Sequence, residues 1–156
     1  YSTIHALSGP VAIAQLAKLE REFNRERLFR ILTVTVLTSF TSETLPIGLR
    51  GREIAGLVEE LAKDAFQNGE GLKSFVCSPH EASILRRALP DSFIVTPGVR
   101  PQGSDFGDQA RVETPAKARE AGASALVVGR PILTAKDRKS AALGIVKEFE
   151  SAKVKS

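Results

Sequence analysis

Val95-Thr96-Pro97-Gly98-Val99-Arg100-Pro101-Gln102-Gly103-Ser104-Asp105-Phe106-Gly107-Asp108-Gln109 leads an apolar, β-rich segment into a loop punctuated by glycine and proline. The loop carries an arginine and a glutamine. Further on, Val127-Val128-Gly129-Arg130-Pro131 ends a second apolar run in Gly-Arg. Arginine offers a fixed fork of donors to phosphate oxygens, and glycine lets a backbone N–H approach closely. Two strand ends of this kind suit a bound phosphate ester, and so an enzyme.

Outward from these segments, short β-rich runs alternate with helical patterns. Ser2 to His5 reads as a strand, and Val11 to Phe23 as a helix with Leu16, Leu19 and Phe23 on one face. Ile31 to Leu37 has the valines and threonines of a buried strand. Ile54, Leu57, Val58, Leu61 and Ala65 recur at helical spacing, with Asn68-Gly69 expected to close that helix as a C-cap. Phe75 to Cys77 reads as the third strand. Ser78-Pro79-His80-Glu81 gives a capping serine, proline at the first helical position and glutamate three residues after the cap, opening a helix to about Ala88. Phe93 to Thr96 is the fourth strand. Thr114-Pro115 starts a helix that Gly122 stops, Leu126 to Val128 is the fifth strand, and Ala142, Ile145, Val146 and Phe149 mark a terminal helix.

Composition narrows the class. The 156 residues fit one domain, and 42% hydrophobic with 26% charged residues is the balance of a globular protein. The net charge of +4 is modest, and the basic residues are interspersed with acids such as Glu59, Glu60, Asp64, Glu113 and Glu120. Nucleic acid is therefore not the implied partner. No run approaches the roughly 18 apolar residues that would cross a bilayer, so no membrane is implied. The single cysteine, Cys77, has no partner for an internal disulfide, which fits a cytoplasmic setting. The sequence has no methionine and opens on what reads as a strand, so it is expected to be an internal or C-terminal piece of a longer protein.

Five βα units in succession predict a parallel sheet with outer helices. A dinucleotide-binding sheet would carry G-x-G-x-x-G after its first strand, and none occurs. A (β/α)₈ barrel instead places polar residues at the C-terminal ends of several strands and binds phosphate after the seventh and eighth. His5, Thr38, Ser39, Pro97 with Arg100, and Gly129 with Arg130 occupy such ends. The expected fold is thus α/β: the last five βα units of a (β/α)₈ TIM barrel, one partial domain over residues 1–156. At roughly 250 residues for eight units, about 90 would precede it.

Thr35-Val36-Leu37-Thr38-Ser39, Val76-Cys77-Ser78, the Val95 to Gln109 loop and Val128-Gly129-Arg130-Pro131-Ile132 resemble, in order, the orotidine 5′-phosphate decarboxylase family. The resemblance runs from Ile4-His5-Ala6-Leu7-Ser8-Gly9 to Ala142. It implies decarboxylation of orotidine 5′-monophosphate to UMP in pyrimidine biosynthesis, without a cofactor or a metal, by an enzyme that is a homodimer when intact. It also implies that Thr38, with Ser39 beside it, lies near the pyrimidine. Gln109 would reach from the closing loop toward phosphate and base, while Arg100, Gly129 and Arg130 line the phosphate end and Pro97 the site nearby.

The family's chemistry rests on an Asp-x-Lys-x-x-Asp motif, and no such motif occurs in this sequence. No residue of this chain is therefore assigned a catalytic role, and the chain alone is expected to be inactive. Two other readings stay open: a related barrel acting on sugar phosphates as a decarboxylase or epimerase, and a catalytically inert phosphate-binding fragment. Individual residues also have plainer roles. His5 suits a strand end satisfied by a backbone hydrogen bond, and Cys77 a small buried apolar position.

Overall fold

The computed structural model describes residues 1–101 and 113–154. Among these, five strands form one sheet: β1 (Ser2–His5), β2 (Ile31–Val34), β3 (Ser74–Val76), β4 (Phe93–Thr96) and β5 (Ala125–Leu126). Their spatial order repeats their chain order, and every neighbouring pair is parallel. Parallel crossovers are right-handed, so an order that always steps the same way puts every connecting helix on one face. A doubly wound sheet reverses its stepping direction. The one-way order is that of a barrel wall, as the strand-end pattern predicted.

Register shows how the helix layer meets the sheet. Ile4 pairs with Thr33, Thr33 with Phe75, Phe75 with Ile94, and Thr96 with Leu126. Since side chains alternate along a strand, these residues share one face. Helices α1 (Pro10–Phe23), α2 (Ile54–Asn68) and α3 (Pro79–Ala88) follow β1, β2 and β3 in turn. Leu57, Val58, Ala62 and Ala65 of α2, with Ala82 and Leu85 of α3, form the main core with Phe75, Cys77 and Ile94. A smaller cluster joins Ala17 of α1 to Ile31 and Leu72.

Several local details differ from expectation. In α1 the buried positions are Ile13 and Ala17, the latter clustered with Ile31 and Leu72, while Leu19 is exposed. Pairing of β2 ends at Val34 rather than Leu37, although the Thr35 N–H still donates to the Val76 carbonyl at 3.2 Å. The third strand is shifted to Ser74–Val76 and the fifth to Ala125–Leu126.

Gly69 is not a left-handed cap: its φ is −92°, and the reversal falls on Glu70 (φ 48°) and Gly71 (φ 88°). Glycine is required at 69 for space, since a Cβ there would lie 2.8 Å from both the Ala65 carbonyl oxygen and the Leu72 Cβ. At the start of α3 the Ser78 hydroxyl donates to the buried Glu81 carboxylate instead of accepting from the helix backbone.

The N-terminal rim of the sheet is fastened by one side chain. Arg86 of α3 donates to the Pro90, Ser92 and Gly122 carbonyls, the last two at 2.8 Å, and to the Ser124 hydroxyl at 3.1 Å. It thereby ties the segment before β4 to the segment before β5. Burial, with Arg119 nearby, lowers its pKa. Helix α4 (Pro115–Glu120) is capped by Thr114, whose hydroxyl accepts from the Lys117 N–H at 3.3 Å, and stops before Gly122 (φ 103°).

Two helices follow β5: α5 (Arg130–Leu133) and α6 (Arg138–Ser151). Asp137 caps α6 by accepting from the Ser140 N–H at 3.0 Å and the Ser140 hydroxyl at 2.6 Å. No described helix is long and apolar enough to cross a membrane.

Candidate functional site

All five strands are parallel, so their C-terminal ends share one rim. Thr38 lies four residues past the end of β2, Arg100 four past β4 and Arg130 four past β5. Pro97 follows β4 directly, Ser39 stands beside Thr38, and Gly129 is the residue from which α5 begins. Strands β4 and β5 are hydrogen-bonded neighbours, about 4.8 Å apart, so the segments bearing Arg100 and Arg130 leave the sheet side by side. β2 lies two strands from β4, or roughly 10 Å along the sheet. The Thr38-Ser39 segment therefore leaves the sheet two strands along the rim from the segment bearing Arg100.

The two arginines differ in setting. Arg100 is 7% exposed, with Nη1 donating to the Val99 carbonyl at 2.8 Å. Its backbone N–H donates to the Glu113 carbonyl at 3.0 Å, and the Glu113 N–H donates to the Gly98 carbonyl at 3.3 Å. This short parallel bridge, Val99 with Glu113, extends the line of β4 beyond the strand proper. Gly98, at φ 76°, supplies the left-handed turn that the bridge requires.

Arg130 is exposed at the first position of α5, and its carbonyl accepts from the Thr134 N–H at 3.0 Å and hydroxyl at 2.8 Å. The Gly129 carbonyl accepts from the Ile132 and Leu133 N–H groups, each at 3.0 Å. Thr38 is buried and Ser39 exposed. Gln109 lies outside the described residues, as does the loop from Gln102 to Asp108.

His5 behaves as a capping residue. Its Nδ1 accepts from the Leu7 N–H at 3.1 Å, opening a 3₁₀ turn over Ala6–Ser8, so the neutral ring carries its proton on Nε2. Burial lowers its pKa, which favours that neutral form. Cys77 is fully buried in the main core. Among the described residues no group of three or more histidine, cysteine or acidic side chains could hold a metal ion.

Two features of this rim were not anticipated. Helix α5 has only four residues, and Gly129-Arg130-Pro131 reads as a loop when taken alone. The buried Ser78–Glu81 pair at the end of β3 has the capping spacing that the sequence displays, but its burial and its hydroxyl-to-carboxylate bond are not visible in that spacing. A small cavity lined by His5, Thr35, Val36, Phe40, Leu45 and Leu57 is mainly apolar and offers phosphate no cationic partner. A hollow between Phe66, Lys73, Leu89 and Asp91 opens at the opposite rim.

Residues 1–145 match the family model described as orotidine 5′-phosphate decarboxylase / HUMPS family. The chain is 43% identical over 154 residues to orotidine 5′-phosphate decarboxylase of Rhodopseudomonas palustris strain CGA009, covering 98% of this chain and 62% of that protein. It is 48% identical over 153 residues to the protein of the same name from strain BisB5, again covering 62% of it. The crystal structure of orotidine 5′-phosphate decarboxylase from Lactobacillus acidophilus superposes with a TM-score of 0.70 at 35% identity, over 94% of this chain and 62% of that one. The chain therefore spans about three fifths of the length of the relatives it matches.

Proposed function

The chain belongs to the orotidine 5′-phosphate decarboxylase / HUMPS family, and on that premise we propose that it is the nucleotide-gripping portion of an enzyme converting orotidine 5′-monophosphate to UMP. The observation that carries this reading is the common offset of Thr38, Arg100 and Arg130 from the ends of three parallel strands. Barrels of this class bind their substrates at the C-terminal ends of their strands, and that offset is what supports the reading.

Each residue has a chemical task in this reading. Arg130, in solvent, offers its guanidinium fork to the phosphate, and Gly129 leaves the backbone open to close approach. Arg100 adds a second cation held by the Val99 carbonyl. Gln109 spans phosphate and base, and Thr38 with Ser39 hydrogen-bonds the pyrimidine edge, with Pro97 closing the wall between them. A grip on phosphate, which does not itself react, supplies binding energy that can hold a closing loop over the reacting carbon and exclude water there. The chemical step is left to the family's Asp-x-Lys-x-x-Asp residues, which this sequence lacks. The isolated chain is accordingly inactive, and the intact enzyme is a cytoplasmic homodimer that needs no cofactor.

The test is ligand-dependent stabilisation of the purified chain. UMP should raise its melting temperature more than ribose 5-phosphate does. Arg130→Ala should weaken UMP binding by about 1.5–3 kcal/mol, the scale of hydrogen bonds to charged groups. Equal shifts with UMP and ribose 5-phosphate would leave only a general sugar-phosphate site. No shift with either would overturn the reading, and turnover by the chain alone would overturn its assigned inactivity.

A further inference from the structure

Arg100 is the one buried cation among the described residues, and three hydrogen bonds converge on the short strip that carries it. Its backbone N–H donates to the Glu113 carbonyl at 3.0 Å, its Nη1 to the Val99 carbonyl at 2.8 Å, and the Glu113 N–H to the Gly98 carbonyl at 3.3 Å. A guanidinium is a rigid plane, so anchoring one N–H orients the whole fork. Arg100 thus takes its direction from Val99, and Val99 is placed by Glu113, its bridge partner. Strand β4 itself ends at Thr96, so this bridge is what carries the strip beyond the sheet. Glu113 stands one residue before the cap of α4. There the Thr114 hydroxyl accepts from the Lys117 N–H at 3.3 Å, and the Lys117 Nζ reaches back to the Glu113 carboxylate at 3.1 Å. Ala118 of the same helix is fully buried in one cluster with Val99. The first turn of α4 therefore reaches Arg100 twice, through the backbone of Glu113 and through the packing around Val99.

We propose that Thr114 is a positioning residue for the phosphate end of the site: by capping α4 it keeps Glu113 in the bridge, and the bridge keeps the Arg100 guanidinium oriented. The proposal rests on the reading of Arg100 as a phosphate-binding cation. A helix of six residues has few internal bonds to hold its first turn closed, so the cap carries much of that turn's stability. Pro115, at the first helical position, has no N–H of its own to satisfy. Without the Thr114 hydroxyl the Lys117 N–H loses its capping partner, the turn opens, and the Glu113 carbonyl leaves the Arg100 N–H. A cation that is correctly placed for only part of the time binds in proportion to that fraction. The Lys117–Glu113 pair is a weaker brace, since the Lys117 side chain is 64% exposed and such pairs contribute little in water. The hydroxyl is accordingly the group on which the placement of Arg100 depends.

The experiment compares Thr114→Ala with Thr114→Ser in the purified chain, following hydrogen exchange at the Arg100 amide and UMP binding by calorimetry. In Thr114→Ala the amide should exchange about fivefold faster and UMP affinity should fall about fivefold, the factor that loss of one helix cap allows. Thr114→Ser keeps a capping hydroxyl and should restore both to within about twofold. Asp137→Ala removes the corresponding cap from α6. It should lower the melting temperature while leaving Arg100 exchange and UMP affinity as they were. In an Arg100→Met background, adding Thr114→Ala should weaken UMP binding no further, because the residue through which the cap acts is gone. Unchanged affinity in Thr114→Ala, an equal loss in Asp137→Ala, or a loss that persists in full beside Arg100→Met overturns the proposal. A parent chain that binds no UMP sinks the substrate reading instead, and exchange then decides the clamp. Faster exchange at Arg100 in Thr114→Ala, reversed by Thr114→Ser, upholds it, and unchanged exchange overturns it.

Discussion

Strands β3 and β5 are both short and apolar, yet Phe75 of β3 and Cys77 just past it are fully buried, while Leu126 of β5 is half-buried and Val127 just past it lies open to solvent. The difference is one of neighbours. β3 is paired on both edges and roofed by α2 and α3. β5 is paired on one edge among the described residues and carries an apolar groove beside α6 on its outer face. In a parallel sheet, burial is conferred by the units on either side more than by a strand's own hydrophobicity.

The contrast can be broken most directly in the two cores. Phe75→Ala should cost about 3–5 kcal/mol in urea unfolding, the range for an aromatic lost from a packed interior. Leu126→Ala, at a half-buried position beside a groove that already exists, should cost about 1 kcal/mol, the centre of the range for point substitutions. Equal losses would mean that the last unit is as tightly packed as the middle, and the comparison would fail.

A smaller effect probes α6 by itself. Gly144 lies in the helix with nothing within 4 Å of where its Cβ would stand. Gly144→Ala should therefore raise stability by about 0.5–1 kcal/mol, the difference in helix propensity. Destabilisation in a thermal melt would show that the helix face at 144 is already occupied.

The smallest effect separates the first unit from the last by pH. His5 has its pKa lowered below the ordinary 6.5 by burial, so its capping bond contributes fully above 6.5 and is lost as pH falls through the depressed value. Asp137 is held below 3.8 by the Ser140 hydroxyl and N–H, so its cap contributes above 3.8 and is lost only at more acid pH. Amide exchange of Leu7 should accordingly quicken at a higher pH than that of Ser140. Simultaneous loss would show that the two ends open together.

The frame of this arrangement could be read from the chain because local and global signals agree. β1 and β4 fall where alternating apolar runs placed them, and α2 where Leu57, Val58 and Ala65 recur. What could not be read depends on space between elements. Gly69 looks like a helix stop but is fixed by contact with Ala65 and Leu72. Leu19 has the period of a core residue, yet Ala17 is the position that is buried. Of the candidate site, the strand ends before Arg100 and Arg130 were legible from apolar runs meeting glycine, proline and arginine, and the one before Thr38 from the Val- and Thr-rich run Ile31 to Leu37. The burial of Arg100 was not, because it depends on the backbone bridge to Glu113, distant in sequence.

Arg86 has a consequence for engineering. Its guanidinium grips acceptors before both β4 and β5, at the rim opposite the candidate site. Strand spacing in that half of the wall is thus held from beneath, by a side chain that lies away from the upper rim. Segments at the upper rim can then be exchanged, lengthened or grafted from a homologue while the footing beneath them stays in place. Redesigning this scaffold for a chosen ligand is a matter of rewriting its crown, provided that Arg86 is left alone.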